Sequence, residues 1–354
     1  MTDIKVYNTR KQNKDVKPFL VDVPVQTNIW IRPDCQKVQL EVLKKARPSI
    51  LFIQSDGGRN EEEWELIRQN RELVEEGIDW ECTVHLIYAD ENNGLYGMGR
   101  ITSEYVWQHV DRCICMEDDI IPSVSFFRFC AEMLEKYKDD LRITAICGMN
   151  HLGIYDSPTK DYFFSHVGSI WGIATWKRTY ESFNLNYQND SYVINEVCNI
   201  AKKDTFFCKS MRGYANNKLI GGHVPGWEFF LVLNMYAQNQ LLIVPKKNMI
   251  SCYGATSGST HAVDNVKKMP KGIAQLFYMK TYELDETIRH PNYVFPDLTY
   301  EKKLNRIMAW HHPLVAIYRR IVSICKRLYY GDGKIMFRKL MGKIKRMGKV
   351  ELEK

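Results

Sequence analysis

Three adjacent carboxylates, Glu117-Asp118-Asp119, follow the apolar run Cys113-Ile114-Cys115-Met116 and precede Ile120-Ile121-Pro122. Carboxylates this close repel one another unless a cation or hydrogen-bond donors compensate. A hard divalent ion prefers oxygen ligands and commonly bridges such carboxylates to substrate phosphates. The trio could therefore hold a metal against a phosphorylated ligand, and a solvated acidic turn is the other reading open to it. Three more polar groups close apolar runs in the same half of the chain. Arg32 follows the first run and could pair with a phosphate. Ser55-Asp56-Gly57-Gly58-Arg59 ends the second, where two glycines permit close backbone approach. Asn92-Asn93-Gly94 follows the third.

The elements that must position these residues alternate in type. Strands are expected at 19–25, 49–54, 81–88, 112–116 and 142–148. Between them helical patterns run over 36–46, 60–76, from the 92–99 loop to His109, and over 123–137 with Ser123 as N-cap. This alternation indicates an α/β fold with a mainly parallel sheet flanked by helices. Ligands of such sheets bind at the carboxyl ends of the strands, so Arg32, Asp56, Asn93 and the acidic trio are expected on one rim. No GxGxxG and no GxxxxGK[ST] is present, which argues against dinucleotide-binding and P-loop chemistry. From about residue 150 to 259 the pattern is irregular and rich in Asn, Gly, Tyr and Trp, with a helix near 227–238 and a strand at 241–245.

The ten cysteines are scattered without a CxxC pair, which argues against a zinc site and a disulfide framework and favours a reducing compartment. The first 17 residues lack the apolar stretch of a signal peptide, and no apolar run approaches a membrane span, so a cytoplasmic location is expected. Net charge is +7, yet residues 313–354 carry 12 Lys/Arg against 3 Asp/Glu, leaving −2 for the preceding 312. In this tail apolar residues recur at helical spacing over 314–328 and again over 336–347, opposed by basic ones. Two basic amphipathic helices of this kind fit attachment to the cytoplasmic face of a membrane better than a nucleic-acid surface, which would interleave basic residues with exposed aromatics on a folded domain.

Ile31-Arg32-Pro33, Ser55-Asp56-Gly57 and Met116-Glu117-Asp118-Asp119 with Pro122 and Phe126-Phe127, then Ile170 to Trp176, Gly226-Trp227-Glu228 and Gly254 to His261, resemble in order and spacing the glycosyltransferase-A fold. They are most similar to the bacterial sugar transferases related to N-acetylglucosaminyltransferase I. The resemblance implies a catalytic domain at 19–265, its nucleotide-sugar half at 19–150 and its acceptor half at 151–265, preceded by a polar lead at 1–18. A connecting segment at 266–312 and the tail at 313–354 would follow. It implies transfer from a nucleotide-sugar donor, UDP favoured, to an acceptor hydroxyl with inversion; the tail, read as an anchor, points to a glycan or lipid-linked glycan acceptor in surface polysaccharide or lipopolysaccharide synthesis. The cofactor implied is Mn2+ or Mg2+. Asp56, with Gly57 and Asn93 beside it, would meet the base, and Arg32 the nucleotide or diphosphate. Asp118 would face the ribose or sugar, and Asp119 would ligate the metal. His261 would approach the metal or diphosphate, Trp171 would shape the sugar or acceptor pocket, and Glu228 would be the general base. Glu196 or Asp190 could replace Glu228 in that role, and a glutamate stabilising the start of a helix also accounts for it. Two other functions compete: a sugar-phosphate nucleotidyltransferase, whose usual glycine-rich phosphate loop the first strand lacks, and a non-enzymatic membrane-surface protein built on the basic tail.

Overall fold

The computed structural model describes residues 2–12, 15–156, 158–184, 189–201, 205–216, 225–255, 265–310 and 312–334. The first half runs β1 (Thr2–Asn8), α1 (Thr9–Gln12), β2 (Val21–Ile29), α2 (Pro33–Ala46), β3 (Pro48–Ser55), α3 (Glu61–Gly77), β4 (Thr83–Ala89), α4 (Gly94–His109), β5 (Arg112–Met116), β6 (Ile120–Pro122), α5 (Ser125–Lys136) and β7 (Ile143–Cys147). Then follow β8 (Tyr162–Ser165), β9 (Ile173–Trp176), α6 (Lys177–Glu181), α7 (Ser191–Ala201), α8 (Thr205–Ala215), α9 (Trp227–Ala237), β10 (Leu241–Pro245), β11 (Ile250–Cys252), α10 (Lys271–Ala274), α11 (Leu298–Met308) and α12 (Pro313–Tyr329).

Nine strands form one sheet in the order β1-β4-β3-β2-β5-β9-β7-β10-β8, with β6 and β11 paired separately. The run β4-β3-β2-β5 is parallel, as are β7 and β10, while β1, β8 and β9 are antiparallel to their neighbours. Helices cover both faces of the parallel run, so its strands read as near-continuous apolar segments, and Leu51, Phe52 and Ile53 of β3 are wholly buried. This is the α/β architecture expected from the alternation of elements. Parallel pairing brings the residues after β4, β3, β2 and β5 to one edge in that spatial order. Antiparallel pairing of Cys115 with Ile173 brings the residues before β9 to the same edge.

Three expectations are corrected. The polar lead is an edge strand: Thr2 to Asn8 pairs along its length with β4. Asp3, Ile4, Lys5 and Val6 are all exposed, and an edge strand with so few apolar residues reads as a polar lead. The segment after 265 is more than a connector, since Leu276, Ile288, Tyr300 and Leu304 are buried in the core. Ser123 does not cap α5; Glu283 does, accepting from the N–H of Val124 (2.9 Å) and Ser125 (2.7 Å). That cap is supplied from far along the chain, beyond the reach of local sequence signals.

α12 is docked the wrong way round for a core helix. Arg319 donates to the carbonyls of Ile307 and Arg306, and Lys326 to that of Met269 (2.8 Å). The opposite stripe points outward: Leu314 is 80 % exposed, Tyr318 66 %, Ile317 58 %, Ile321 55 % and Leu328 54 %. No helix among the described residues is long and apolar enough to cross a membrane. Residues 335–354, where the second tail helix was expected, lie outside the described residues.

Candidate functional site: an acidic turn with an arginine counter-ion

β5 ends at Met116, and Glu117 to Asp119 turn the chain into β6, closed by a bond from Ile120 N–H to Glu117 C=O (3.2 Å). The turn is held from beneath by Gln39 of α2, a fully buried residue. Its amide donates to the carbonyls of Glu117 (2.9 Å) and Ile120 (2.8 Å), and its oxygen accepts from Thr27 of β2 (2.6 Å) and from Gln36 (3.2 Å). All four hydrogen-bonding positions of that amide are used. A glutamine inside a helix carries no sequence signal for this role; only the packing of α2 over β2 and β5 reveals it.

Arg32 closes the turn from above. It precedes Pro33, the first residue of α2, and its Nη1 lies 2.7 Å from Asp119 Oδ2 and its Nε 3.1 Å from Asp118 Oδ2. The three side chains are only 12–14 % exposed. Asp119 Oδ1 is buried without a hydrogen-bond partner among the described residues. β6 pairs with β11, which seats the next residues of the chain against Asp119: Tyr253 N–H donates to Asp119 C=O (2.8 Å). At Gly254 a Cβ would fall 2.2 Å from Asp119 Oδ2, so only glycine fits there.

Burial and mutual repulsion raise the acids. Asp118 is pushed up to about 6, chiefly by burial, with Arg32 opposing the shift and Asp119 adding to it. Glu117 is pushed up to about 7, again by burial first, then by Asp119 and Asp118. Glu228 adds to that rise, and it also raises the Tyr96 phenol, after burial. Glu228 lies in the first turn of α9 with its carboxylate turned back over Gly226, where a Cβ would fall 2.2 Å from Oε2.

Asp56 spends its carboxylate on its own rim. Oδ1 accepts from the backbone of Gly57 and Asn93 (both 2.9 Å) and Oδ2 from that of Gly94 (2.9 Å), with the Asn92 and Asn93 amides adding 3.2 and 3.3 Å contacts. It organises the start of α4 and ties the β3 and β4 ends together. Gly57 is needed because a Cβ would lie 2.4 Å from the Glu91 backbone. Arg71, which the sequence did not single out, reinforces this wall through Ser55 and Ala89 at the ends of β3 and β4. Trp171 is half-buried against Phe277 (5.3 Å between rings) and packs on the main core.

Two tyrosines also went unnoticed in the sequence. Tyr278 has left-handed backbone (φ 55°), uncommon for a bulky residue, and its N–H bonds to Cys252 C=O (3.0 Å). Its ring stands 5.0 Å from that of Tyr253. Its phenol is raised by burial, then by Cys35, Cys252, Tyr253 and Asp119, which places it beside the acids. His261 lies outside the described residues. Among those described, no group of three or more His, Cys, Asp and Glu is assembled as a metal cage. Asp118 and Asp119 still fit a divalent ion that keeps water or takes phosphate oxygens for its other ligands, because their donors are hard and Asp119 Oδ1 is uncommitted.

No family model and no curated protein matches this chain. Among solved structures it is similar to a mannosyltransferase from Pyrobaculum calidifontis in complex with GDP-Man and Mn2+, at 11% identity and TM-score 0.32 over 65% of this chain and 74% of that one. A UDP-glucose pyrophosphorylase complexed with UDP-glucose gives 8% identity and TM-score 0.32 over 65% and 92%. The apo glycosyltransferase GlyE of Streptococcus pneumoniae TIGR4 gives 11% identity and TM-score 0.25 over 83% and 64%.

Proposed function

We propose that this chain is a divalent-metal-dependent glycosyltransferase of the glycosyltransferase-A type, taking its sugar from a nucleotide-diphosphate donor. The observation that carries the reading is the buried Asp118-Asp119 pair at the end of β5, with one uncommitted carboxylate oxygen and a guanidinium alongside. Arg32, Asp118 and Asp119 would meet the diphosphate end of the donor. The wall tied by Asp56, with Gly57 and Asn93, would face the base, Asp56 acting by shaping that wall. Mn2+ or Mg2+, when bound, would neutralise charge on the departing diphosphate, held by Asp119 with His261 as a second candidate ligand. Glu228 would accept the proton of the attacking hydroxyl, and displacement opposite the leaving group would invert the anomeric centre. Trp171 would border the sugar.

The outward stripe of α12 supports an acceptor presented at a membrane surface. A lipid-linked glycan in surface polysaccharide or lipopolysaccharide assembly fits that placement, with UDP-sugar as the favoured donor and the cytoplasmic face as the site of attachment. Incubation with nucleotide sugars, Mn2+ and lipid-linked acceptors should release a nucleoside diphosphate. Release of pyrophosphate from a nucleoside triphosphate and a sugar phosphate would assign the site to a nucleotidyltransferase instead. Glu228→Gln should retain donor binding and lose transfer by ~100-fold or more.

A further inference from the structure

Arg32 has a position that donor contact alone does not explain. Its guanidinium lies against Asp118 and Asp119 at once, and its side chain is almost as buried as theirs. Its backbone is fixed at the head of α2, where its carbonyl accepts from Gln36 N–H (3.1 Å) and Pro33 follows directly. A guanidinium stays charged at any working pH. It therefore fills one side of the acid pair with permanent positive charge, while Asp119 Oδ1, buried, has no hydrogen-bond partner among the described residues.

A divalent ion approaching Oδ1 meets two opposing effects. The carboxylates attract it, and the adjacent guanidinium repels it. The described residues also offer it few ligands. A diphosphate changes both terms: its oxygens complete the ion's coordination, and its charge offsets the guanidinium, whose fork is shaped to bind phosphate oxygens. Resting on the donor reading above, we infer that Arg32 couples the two ligands, holding metal affinity low until a nucleoside diphosphate arrives and so favouring their joint binding. The metal alone would be resisted, and the diphosphate alone would meet two carboxylates against a single guanidinium. By linkage the enhancement is the same in either order.

The test is calorimetric titration of the intact chain with Mn2+ alone, with UDP or GDP alone, and with each at saturation of the other, corrected for Mn2+-nucleotide association in solution. The wild type should bind Mn2+ at least about tenfold more tightly when the nucleotide is present. Arg32→Gln, with its fold checked by circular dichroism, should bind Mn2+ alone about fivefold more tightly than wild type and the nucleotide alone more weakly. Arg32→Lys keeps the charge and loses the fork. It should bind Mn2+ alone as the wild type does and the nucleotide about fivefold more weakly. The inference is overturned if Arg32→Gln binds Mn2+ no more tightly than wild type, or, should that variant not fold, if Arg32→Lys binds the nucleotide as tightly as wild type. Absence of any nucleotide binding to the wild type overturns the donor reading itself, a result distinct from the other two.

Discussion

At the end of β5, charged side chains turn into the protein; along α12, apolar side chains turn out of it. Both reverse the usual partition, and they differ in what balances them. Asp118 and Asp119 are compensated within the chain by Arg32, while the amide of Gln39 holds the backbone of the turn through the Glu117 and Ile120 carbonyls. The α12 stripe has no such partner among the described residues, and the helix is fastened through Arg319 and Lys326 on its other side. A compensated inversion can be completed by a small ligand taking up one uncommitted oxygen. An uncompensated one needs an extended apolar surface. On the proposed reading the first would take something ionic and the second would sit on something oily.

Substitutions should separate the two. The largest effect belongs to Asp119→Asn, which removes the charge whose Oδ1 is uncommitted; nucleoside diphosphate release in a transfer assay should fall by ~100-fold or more. Gln39→Leu takes both donors from beneath the turn and leaves the carbonyls of Glu117 and Ile120 buried without them. It should destabilise the fold by about 3 kcal/mol in urea denaturation, and a change within the noise would mean that the turn stands without it.

Glu117→Gln tests the cost of the buried charge. Glu117 is raised in the fold to about 7 from an ordinary value of 4.5, so the folded state holds its proton where the unfolded chain has lost it. Its ionisation therefore lowers stability increasingly as pH rises from 4.5 to about 7, and no further above that. Without metal, the variant's advantage over wild type should be small at pH 4.5 and on the order of 2 kcal/mol at pH 8. An advantage that shrank over the same interval would reverse the sign of the argument.

The smallest effect on stability is expected from Ile317→Glu, Ile321→Glu and Leu328→Glu together. These exposed positions should cost less than about 1 kcal/mol in urea denaturation. Sedimentation with phosphatidylserine vesicles should nevertheless be lost. Retained binding would detach the stripe from the membrane.

The parallel half of the fold was legible because its strands are buried on both faces and its helices carry ordinary boundary signals, such as Pro33 at the start of α2. For the same reason Arg32, Asp56, Asn93 and the acidic trio could be placed on one rim from the order of elements alone. Two kinds of feature were not legible. Gln39, Arg71, Tyr278 and the Glu283 cap act across long sequence separations, and nothing local distinguishes them from other residues of their type. The side on which α12 docks was also hidden, since helical periodicity separates two faces without saying which one meets the protein. Asp56 shows a further limit: its strand-end position was read correctly, while the direction of its carboxylate, into its own loop, is set by how the β4 end folds over it.

The central claim is that the acid pair receives a nucleotide sugar together with a divalent ion. Thermal unfolding of the wild-type chain with a panel of UDP- and GDP-sugars, each with and without Mn2+, tests it most directly. At saturation at least one nucleotide sugar should raise the midpoint by ~5 °C, and only when Mn2+ is present. A panel in which no nucleotide sugar moves the midpoint in the presence of Mn2+ would contradict the account.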